Sequence, residues 1–322
     1  MGMGYELLST PFAYAMPAYY DKHKPQLACK PIRVSFGKSR LESFIYWQPA
    51  KPTHESVIMW FHGGGYLVGD PQSMTNAADV YTSEGYRFIS VGFRLMPWSA
   101  FPAQIEDAFK GVDAAARWLT SRTKKRRTII VGGSSAGGMS AALVAYSRKL
   151  QSRFGLDTDG TAEAIGAYIS CAAVLNADDM LLDFACPGPL GDKMLRTGIA
   201  LDATRAKGPL NRDKLHEELM DYSPLALLEA DDLPAIPYFG IHGLADRMSP
   251  FQTENAFSSR LAERLGPAMS TLHVVEDPRW QHMVTTVTLH KRRVRDDPVL
   301  SHLFLWLGAL KDETYPLSST SR

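Results

Sequence analysis

The stretch VGGSSAGGMSAAL, residues 131–143, joins an apolar segment to a run rich in alanine and leucine. The residues TIIV at 128–131 have the β-branched character of a buried strand, and the residues after the glycines favour a helix. Glycines at the join allow backbone segments to approach closely. The stretch therefore predicts a strand, a sharp turn and a helix, which is the unit from which α/β sheets are built.

The turn itself carries a candidate nucleophile. The residues GSSAG at 133–137 match the pattern G-x-S-x-G once, and the pattern selects Ser135. Ser134 fits only if the glycine spacing is ignored. The helix that follows would present free N–H groups and a partial positive charge to an oxyanion. A phosphate-cradling turn is the alternative, but neither glycine motif for phosphate binding can be fitted here.

A second glycine-rich loop lies upstream, in the sequence MWFHGGGYLVGD, directly after a predicted buried strand. Glycines are costly in backbone entropy, so three in a row indicate a need for bare N–H groups. With the N–H of Ala136, such groups would form an oxyanion hole; an ordinary glycine loop is the alternative. His62 is predicted to brace the loop rather than to act as a base. The loop glycines are Gly63, Gly64 and Gly65.

In enzymes with the G-x-S-x-G pattern, the nucleophile is followed along the chain by an acid and then by a histidine, so the candidates for both lie after Ser135. Asp246 follows the predicted strand IPYFGIHG at 236–243, and His282 follows the next predicted strand, STLHVVE at 270–276. Asp277 is an alternative acid. It shares its loop with His282, however, and would leave the preceding strand end empty.

Other histidines have less suitable positions. His273 lies inside a predicted strand, His302 lies within the last predicted helix, and His290 begins a basic run farther along the chain. His242 precedes Asp246 within its strand and is predicted to be a core residue or to support the site from behind.

The composition excludes several classes of function. The chain has 322 residues, and its 35 Lys and Arg nearly balance its 34 Asp and Glu, giving a net charge of +1. This balance provides no general attraction to nucleic acid or to an anionic membrane. The basic runs at 123–128 and 290–298 lack interleaved aromatic residues and are interpreted as solvated turns.

Cysteine usage and hydropathy indicate a cytoplasmic protein. Three cysteines at unrelated spacings predict neither a disulfide framework nor a zinc site. The N-terminus does not resemble a signal peptide, and no stretch approaches 18 consecutive apolar residues, so no stable membrane anchor is expected.

No metal or cofactor is required, because base, acid and oxyanion donors all come from the chain. We expect a monomer or a homodimer.

Strand and helix patterns alternate through most of the chain and predict an α/β fold with a mostly parallel central sheet, covered by helices on both faces. Residues 31–175 and 234–322 are assigned to this core. Residues 1–30 are aromatic-rich, and residues 176–233 hold helical fragments broken by Gly and Pro. Because insertions after strand ends often cover α/β sites, these two segments are predicted to form a helical cap.

One helix has clear predicted ends. In SPFQTENAFSSRLAERLG, Ser249 is predicted as the N-cap and Pro250 as the first helical residue. Gln252 would complete a capping box, and Gly266 would end the helix.

Several motifs together resemble the hormone-sensitive-lipase-like, HGGG-motif carboxylesterases of the α/β-hydrolase fold. The matching segments include HGGGY, GGSSAGG, YSPLALLEADDLP and IHGLADRMSP, and the resemblance runs over most of the chain from about residue 55. It implies a cap built from the N-terminal segment and the insertion after Val174. It also implies a catalytic triad of Ser135, Asp246 and His282. The implied oxyanion hole is formed by Gly64, Gly65 and Ala136, with Gly63 as a possible substitute donor.

The resemblance also implies a supporting ion pair between Arg94 and Asp107, and the chain departs from the family in three places. Ser134 stands where an Asp is usual, and Trp98 stands where a Glu is common. The sequence RWQHMV replaces the usual Gly-x-x-His-Gly-Phe around the histidine. Tyr66, Ser134 and Trp98 are predicted to line the substrate pocket, which these departures make unusual.

The sequence therefore predicts a serine hydrolase that cleaves a carboxylic ester of a small or medium, largely apolar substrate through an acyl-enzyme on Ser135. The alternative is an amidase or lactonase similar to formylamidases, or another tailoring enzyme with the same triad, so the partner is a small-molecule ester or amide. A third hypothesis is a non-catalytic hydrolase-fold ligand-binding protein, against which the presence of His282 argues.

Overall fold

The computed structural model describes residues 27–156, 160–177, 188–278, 282 and 297–310, and the backbone of 314–315. The predicted N-terminal part of the cap, residues 1–30, therefore lies almost wholly outside the described residues. The same holds for residues 178–187 of the predicted cap insertion.

The described strands form one eight-stranded sheet and one small two-stranded sheet. The large sheet has the order β1-β2-β4-β3-β6-β7-β8-β9, and β10 pairs with β5. The first two pairings, β1 with β2 and β2 with β4, are antiparallel, and all the others in the large sheet are parallel. The strands are β1 Ile32–Ser35, β2 Ser43–Trp47, β3 Val57–Phe61, β4 Arg87–Val91, β5 Arg126–Arg127, β6 Ile129–Ser134, β7 Ile165–Cys171, β8 Tyr238–Gly243, β9 Ser270–Val275 and β10 Thr314–Tyr315.

Helices connect most of the parallel strands, as the chain alternation predicts. The described α-helices are α1 Thr75–Ser83, α2 Ala103–Thr123, α3 Ala136–Tyr146, α4 Arg148–Arg153, α5 Pro189–Gly198, α6 Asp202–Arg205, α7 Arg212–Met220, α8 Pro224–Leu227, α9 Phe251–Leu265 and α10 Pro298–Ala309.

Strand β3 shows why the central strands are apolar throughout. Alternate side chains of a strand point to opposite faces of the sheet. Met59 and Phe61 belong to the hydrophobic cluster under α2, α3 and α9, whereas Ile58 and Trp60 belong to the cluster under α1 and α10. Both faces of the sheet are therefore covered, and the predicted α/β class with a mostly parallel, doubly covered sheet is confirmed.

The predicted start of helix α9 is wrong. The helix begins at Phe251, Pro250 occupies the cap position in an extended conformation, and no side chain caps the N-terminus. The reason is that Ser249 has other partners: its N–H donates to Asp246, and its hydroxyl donates to the carbonyl of Ala173. The end of the helix at Gly266 is as predicted.

The predicted cap insertion is helical where the structure describes it. Helices α5 to α8 lie within residues 188–233, and the backbone of Phe101 pairs with that of Ile199 just after α5. The N–H of Leu225 donates to the carbonyl of Leu175 at 2.8 Å. These bonds attach the insertion to the loop after β4 and to the segment after β7.

Among the described residues, none of the helices combines the length and the apolar character that crossing a membrane requires.

Candidate active site

Ser135 lies at a strained turn between β6 and α3. Its backbone has φ 54° and ψ −126°, a conformation that non-glycine residues rarely adopt. Such strain at a strand-to-helix turn is the geometry of a nucleophile elbow, which exposes the serine Oγ at the carboxyl end of the sheet. The neighbouring glycines permit this turn: a β-carbon on Gly133 would overlap the backbone of Gly137.

Three predicted residues meet at this edge of the sheet. His282 Nε2 lies 2.9 Å from Ser135 Oγ, and His282 Nδ1 lies 2.8 Å from Asp246 Oδ2. A carboxylate accepts hydrogen bonds, so Nδ1 carries the proton and Nε2 is free to accept from the serine hydroxyl. All three side chains are buried. Three side chains in this arrangement can act as a nucleophile, a base and an orienting acid.

The carboxylate of Asp246 is held in place by its own turn. Its Oδ1 accepts from the N–H groups of Met248 and Ser249, each at 2.9 Å, which leaves Oδ2 for His282. The turn therefore fixes the orientation of this group.

The glycine loop follows β3, which lies beside β6 in the sheet. Gly64 has φ 117° and Gly65 has φ 60°, in the region that glycine adopts without strain. Within the described part of the chain, neither glycine N–H donates a hydrogen bond. The N–H of Ala136 lies at the first turn of α3, where no intrahelical acceptor exists. These amides have the free donors that an oxyanion requires.

His62 supports the glycine loop, as the sequence predicts. Its Nδ1 lies 2.7 Å from the carbonyl oxygen of Gly63, and its ring stacks on Phe93 with centroids 4.3 Å apart. Because a carbonyl only accepts, Nδ1 carries the proton. Burial lowers the pKa of His62, which keeps the ring neutral. A buried neutral ring of this kind is a structural brace.

The three predicted pocket residues have different positions. Tyr66 is fully buried, and its hydroxyl lies 2.8 Å from Ser140 Oγ, so it packs inside the core. Ser134 is also buried and hydrogen-bonds through its side chain to Cys171. Trp98 is 84% exposed on the loop after β4. Of the three, only Trp98 presents its side chain to solvent.

The implied pair of Arg94 and Asp107 is confirmed. The guanidinium donates to both carboxylate oxygens, at 2.8 Å from Nε and 2.6 Å from Nη2, and the Arg94 N–H donates as well. These bonds raise the pKa of Arg94. They join the loop after β4 to helix α2 and contact no member of the triad, so the pair is structural.

Glu254 and Tyr238 are buried polar residues that the sequence reasoning missed. Glu254 Oε2 lies 3.3 Å from His242 Nδ1, and the hydroxyl of Tyr238 donates to Glu254 Oε1. A signal was present, because Glu254 stands three and seven residues before Phe257 and Leu261 on the buried face of α9. A carboxylate in an apolar stripe indicates a buried polar partner.

The described residues include no group of three or more His, Cys, Asp or Glu side chains that could hold a metal ion.

The chain is similar to several known proteins. A family model described as BD-FAE matches residues 44–261. Esterase LipI of Mycobacterium tuberculosis is 31% identical over 128 residues, which is 38% of this chain and 39% of LipI. Carboxylesterase NlhH of the same organism is 29% identical over 101 residues, which is 30% of this chain and 29% of NlhH. The chain thus matches about two-fifths or less of the length of these curated relatives.

The fold is also that of solved esterases. The crystal structure of esterase B from Lactobacillus rhamnosis aligns with a TM-score of 0.64 and 19% identity, covering 95% of this chain and 94% of that one. Native esterase 2 from Thermogutta terrifontis aligns with a TM-score of 0.58 and 19% identity, covering 95% of this chain and 100% of that one. At this level of identity the likeness shows a shared fold.

Proposed function

Because the chain belongs to the BD-FAE family of α/β-hydrolase esterases, we propose that it is a serine hydrolase that cleaves carboxylic esters. The observation that carries the proposal is the unbroken line of contacts from Ser135 Oγ through His282 to Asp246. A strained serine at an elbow, joined to a histidine and a buried acid, is the arrangement needed for acyl transfer.

The first half of the reaction forms an acyl-enzyme. Ser135 Oγ attacks the ester carbonyl carbon while its proton passes to His282 Nε2, and the carbonyl oxygen becomes an oxyanion. Asp246 stabilises the resulting imidazolium. The tetrahedral intermediate then collapses, the bond to the alcohol oxygen breaks, and the imidazolium gives its proton to the leaving alcohol.

The second half of the reaction restores the enzyme. Water attacks the acyl carbon while His282 Nε2 takes one of its protons, and collapse of the second tetrahedral intermediate breaks the bond to Ser135 Oγ. The imidazolium returns the proton to the serine, and the carboxylic acid leaves. Atoms and charges balance without an external reagent.

The free amides beside the elbow have a role in both halves. Gly64, Gly65 and Ala136 would donate to the developing oxyanion, with Gly63 as a further candidate donor. Removing one such donor typically costs about 3 kcal/mol of transition-state stabilisation. The open N–H groups and the positive φ angles of the loop support this assignment.

Apolar side chains around the carboxyl edge of the sheet favour a small or medium, largely apolar substrate. Leu67 follows β3, Trp98 follows β4 and Leu244 follows β8, and each is exposed to solvent. Parallel strands bring the loops at their carboxyl ends to one edge, where ligands of α/β sheets bind. We therefore propose that Trp98 lies at the rim of the pocket. We also propose that residues 176–233 act as the cap, because helix α5 in this segment exposes Leu190 and Met194.

A labelling experiment tests the mechanism directly. A fluorophosphonate should attach to Ser135, and peptide mass spectrometry locates the label. Label on Ser134 would contradict the choice of nucleophile.

An acyl-chain series of nitrophenyl esters, from acetyl to decanoyl, with nitroanilides of the same acids as a matched arm, tests the bond that is cleaved. Turnover of the esters well above that of the anilides is expected. The opposite preference would favour an amidase, and binding without turnover would favour a ligand-binding protein.

A further inference from the structure

A second, fully buried pair lies behind the catalytic acid. His242 is the penultimate residue of β8, and its Nε2 lies 3.6 Å from Asp246 Oδ2, the oxygen that also contacts His282. Its Nδ1 faces Glu254 Oε2 at 3.3 Å. The side chains of His242, Glu254 and Asp246 are fully buried. The line of contacts from Ser135 thus continues past Asp246 into the core.

The hydrogen-bond partners of His242 determine where its protons lie. Its Nε2 is 2.9 Å from the carbonyl oxygen of Ser249, and a carbonyl can only accept, so Nε2 carries a proton. Its Nδ1 faces a carboxylate oxygen of Glu254, and Tyr238 occupies the other oxygen. A buried ionised carboxylate is stabilised by a positive partner. A second proton on Nδ1, which makes the ring an imidazolium, supplies that partner.

We propose that His242 and Glu254 are positioning residues for the catalytic acid: they hold a buried positive charge beside Asp246, and they anchor the turn that presents it. The anchor is Ser249, whose carbonyl accepts from His242 and whose N–H donates to Asp246 Oδ1. The effect on rate rests on the proposed hydrolase function, whereas the charge state of the pair does not.

The surroundings of His242 support a charged ring. Burial alone would lower the pKa of His242, but the hydrogen bond to Glu254 and the charges of Glu254 and Asp246 together raise it. The ring of Phe251 packs beside it from α9. The ionisable groups that face this pair from the surrounding elements are Tyr238 on β8, Tyr168 and Cys171 on β7, Asp246 on the turn, and His282 beyond it.

The sign of the effect on activity follows from these positions. His242 Nε2 lies 3.6 Å and His282 Nδ1 lies 2.8 Å from the same oxygen of Asp246, so these two nitrogens are at most about 6.4 Å apart. At that distance like charges repel noticeably even at an effective dielectric constant of about 20. The charge on His242 therefore repels positive charge that develops on the ring of His282. If Glu254 is replaced by Gln, the buried His242 loses the nearer of its two counter-charges, and burial then favours the neutral ring. The site then holds one positive charge fewer, and the acid limb of the pH profile of activity moves to higher pH.

The charge state can be measured without catalysis. We suggest recording imidazole ¹⁵N shifts of the full-length Ser135→Ala protein with ¹⁵N-labelled histidine, with His242 assigned by comparison with His242→Gln. Both ring nitrogens of His242 should show protonated shifts from about pH 6 to pH 8. A bare nitrogen at pH 7 would overturn the proposal. Because this readout needs no turnover, it stands even if the protein hydrolyses no ester.

The positioning role is measured by the pH dependence of kcat/KM. For Glu254→Gln, the acid limb of the profile should move to higher pH by about half a unit or more. If that variant does not fold, His242→Gln is the second variant and should move the limb in the same direction. Ser258→Ala, which removes a hydrogen bond to Ser270 one turn farther along α9, is the matched control and should leave the limb in place. A lowered kcat in Glu254→Gln with an unmoved limb would show a merely structural role and overturn the proposal.

Discussion

A β-carbon at position 137 would overlap the carbonyl oxygen of His62, so helix α3 passes the glycine loop at a distance that only glycine allows. This close approach places the elbow serine and the loop amides in one rigid unit. The candidate nucleophile and the candidate oxyanion donors are thus positioned by the same contact.

Gly137→Ala should therefore damage both stability and activity. The added methyl group must push the loop away from the helix, and overpacking of this kind typically costs about 1–3 kcal/mol. Urea unfolding measures the stability, and ester turnover measures the displaced donors. Gly308→Ala is the matched control, because Gly308 lies in helix α10 and no atom of the described residues lies within 4 Å of a new β-carbon. That variant should be neutral or slightly stabilising; equal losses in both variants would contradict this account.

Asp107→Asn tests the ion pair that joins the loop after β4 to α2. The neutral amide cannot accept the three Arg94 bonds as a carboxylate does, and hydrogen bonds to charged groups are each worth roughly 1.5–3 kcal/mol. Because Arg94 is partly exposed, we expect a total loss of only about 2 kcal/mol in urea unfolding, with KM and kcat changed little in the folded protein. Glu106→Gln, at the more exposed partner of Arg94, should cost much less. A stability unchanged in Asp107→Asn would refute the structural role.

His62 should make the protein sensitive to acid. Its pKa is lowered by burial in the folded state, so below about pH 6.5 the unfolded chain binds a proton that the folded chain does not. The stability that His62 contributes is therefore present above about pH 6.5 and is lost as the pH falls. The difference in unfolding free energy between wild type and His62→Asn should narrow by an amount on the order of 1 kcal/mol between pH 7.5 and pH 5. A difference that is constant with pH would show that His62 does not titrate in this way.

Trp98 should affect substrate choice rather than stability. Its side chain is 84% exposed, so Trp98→Gln removes few packing contacts. If Trp98 lies at the rim of the pocket, the variant should lose several-fold in kcat/KM for octanoyl esters and little for acetyl esters. Leu305→Gln removes a similarly exposed apolar side chain from α10 and serves as the control. Equal effects on both chain lengths would remove Trp98 from the pocket.

Local patterns in the sequence predict much of the fold. The central strands lie where their apolar patterns place them, because burial on both faces of a sheet leaves no room for polar side chains. The start of α9 could not be predicted in this way. Ser249 has the identity of an N-cap residue, but it is drawn into the turn around Asp246 by contacts that are distant in sequence.

In the candidate site, too, local patterns predict some residues, while others depend on contacts that are distant in sequence. Glycine spacing and strand order lead to Ser135, Asp246 and His282, because each stands at a strand end on one edge of the sheet. The pairing of His242 with Glu254 depends on how α9 packs against β8, which no local pattern encodes. The position of Tyr66 beside the glycine loop predicts a pocket residue, whereas its hydroxyl contacts Ser140 in the core.

The most direct test of the central claim is ester turnover by Ser135→Ala beside Ser134→Ala and wild type. Both serines are buried and adjacent, so the two variants make the same chemical change one residue apart. We predict a loss of roughly a million-fold in kcat for Ser135→Ala, as for removal of a triad nucleophile, and retention of most activity in Ser134→Ala. Activity that survives in Ser135→Ala, or that disappears in Ser134→Ala alone, would contradict the proposed mechanism.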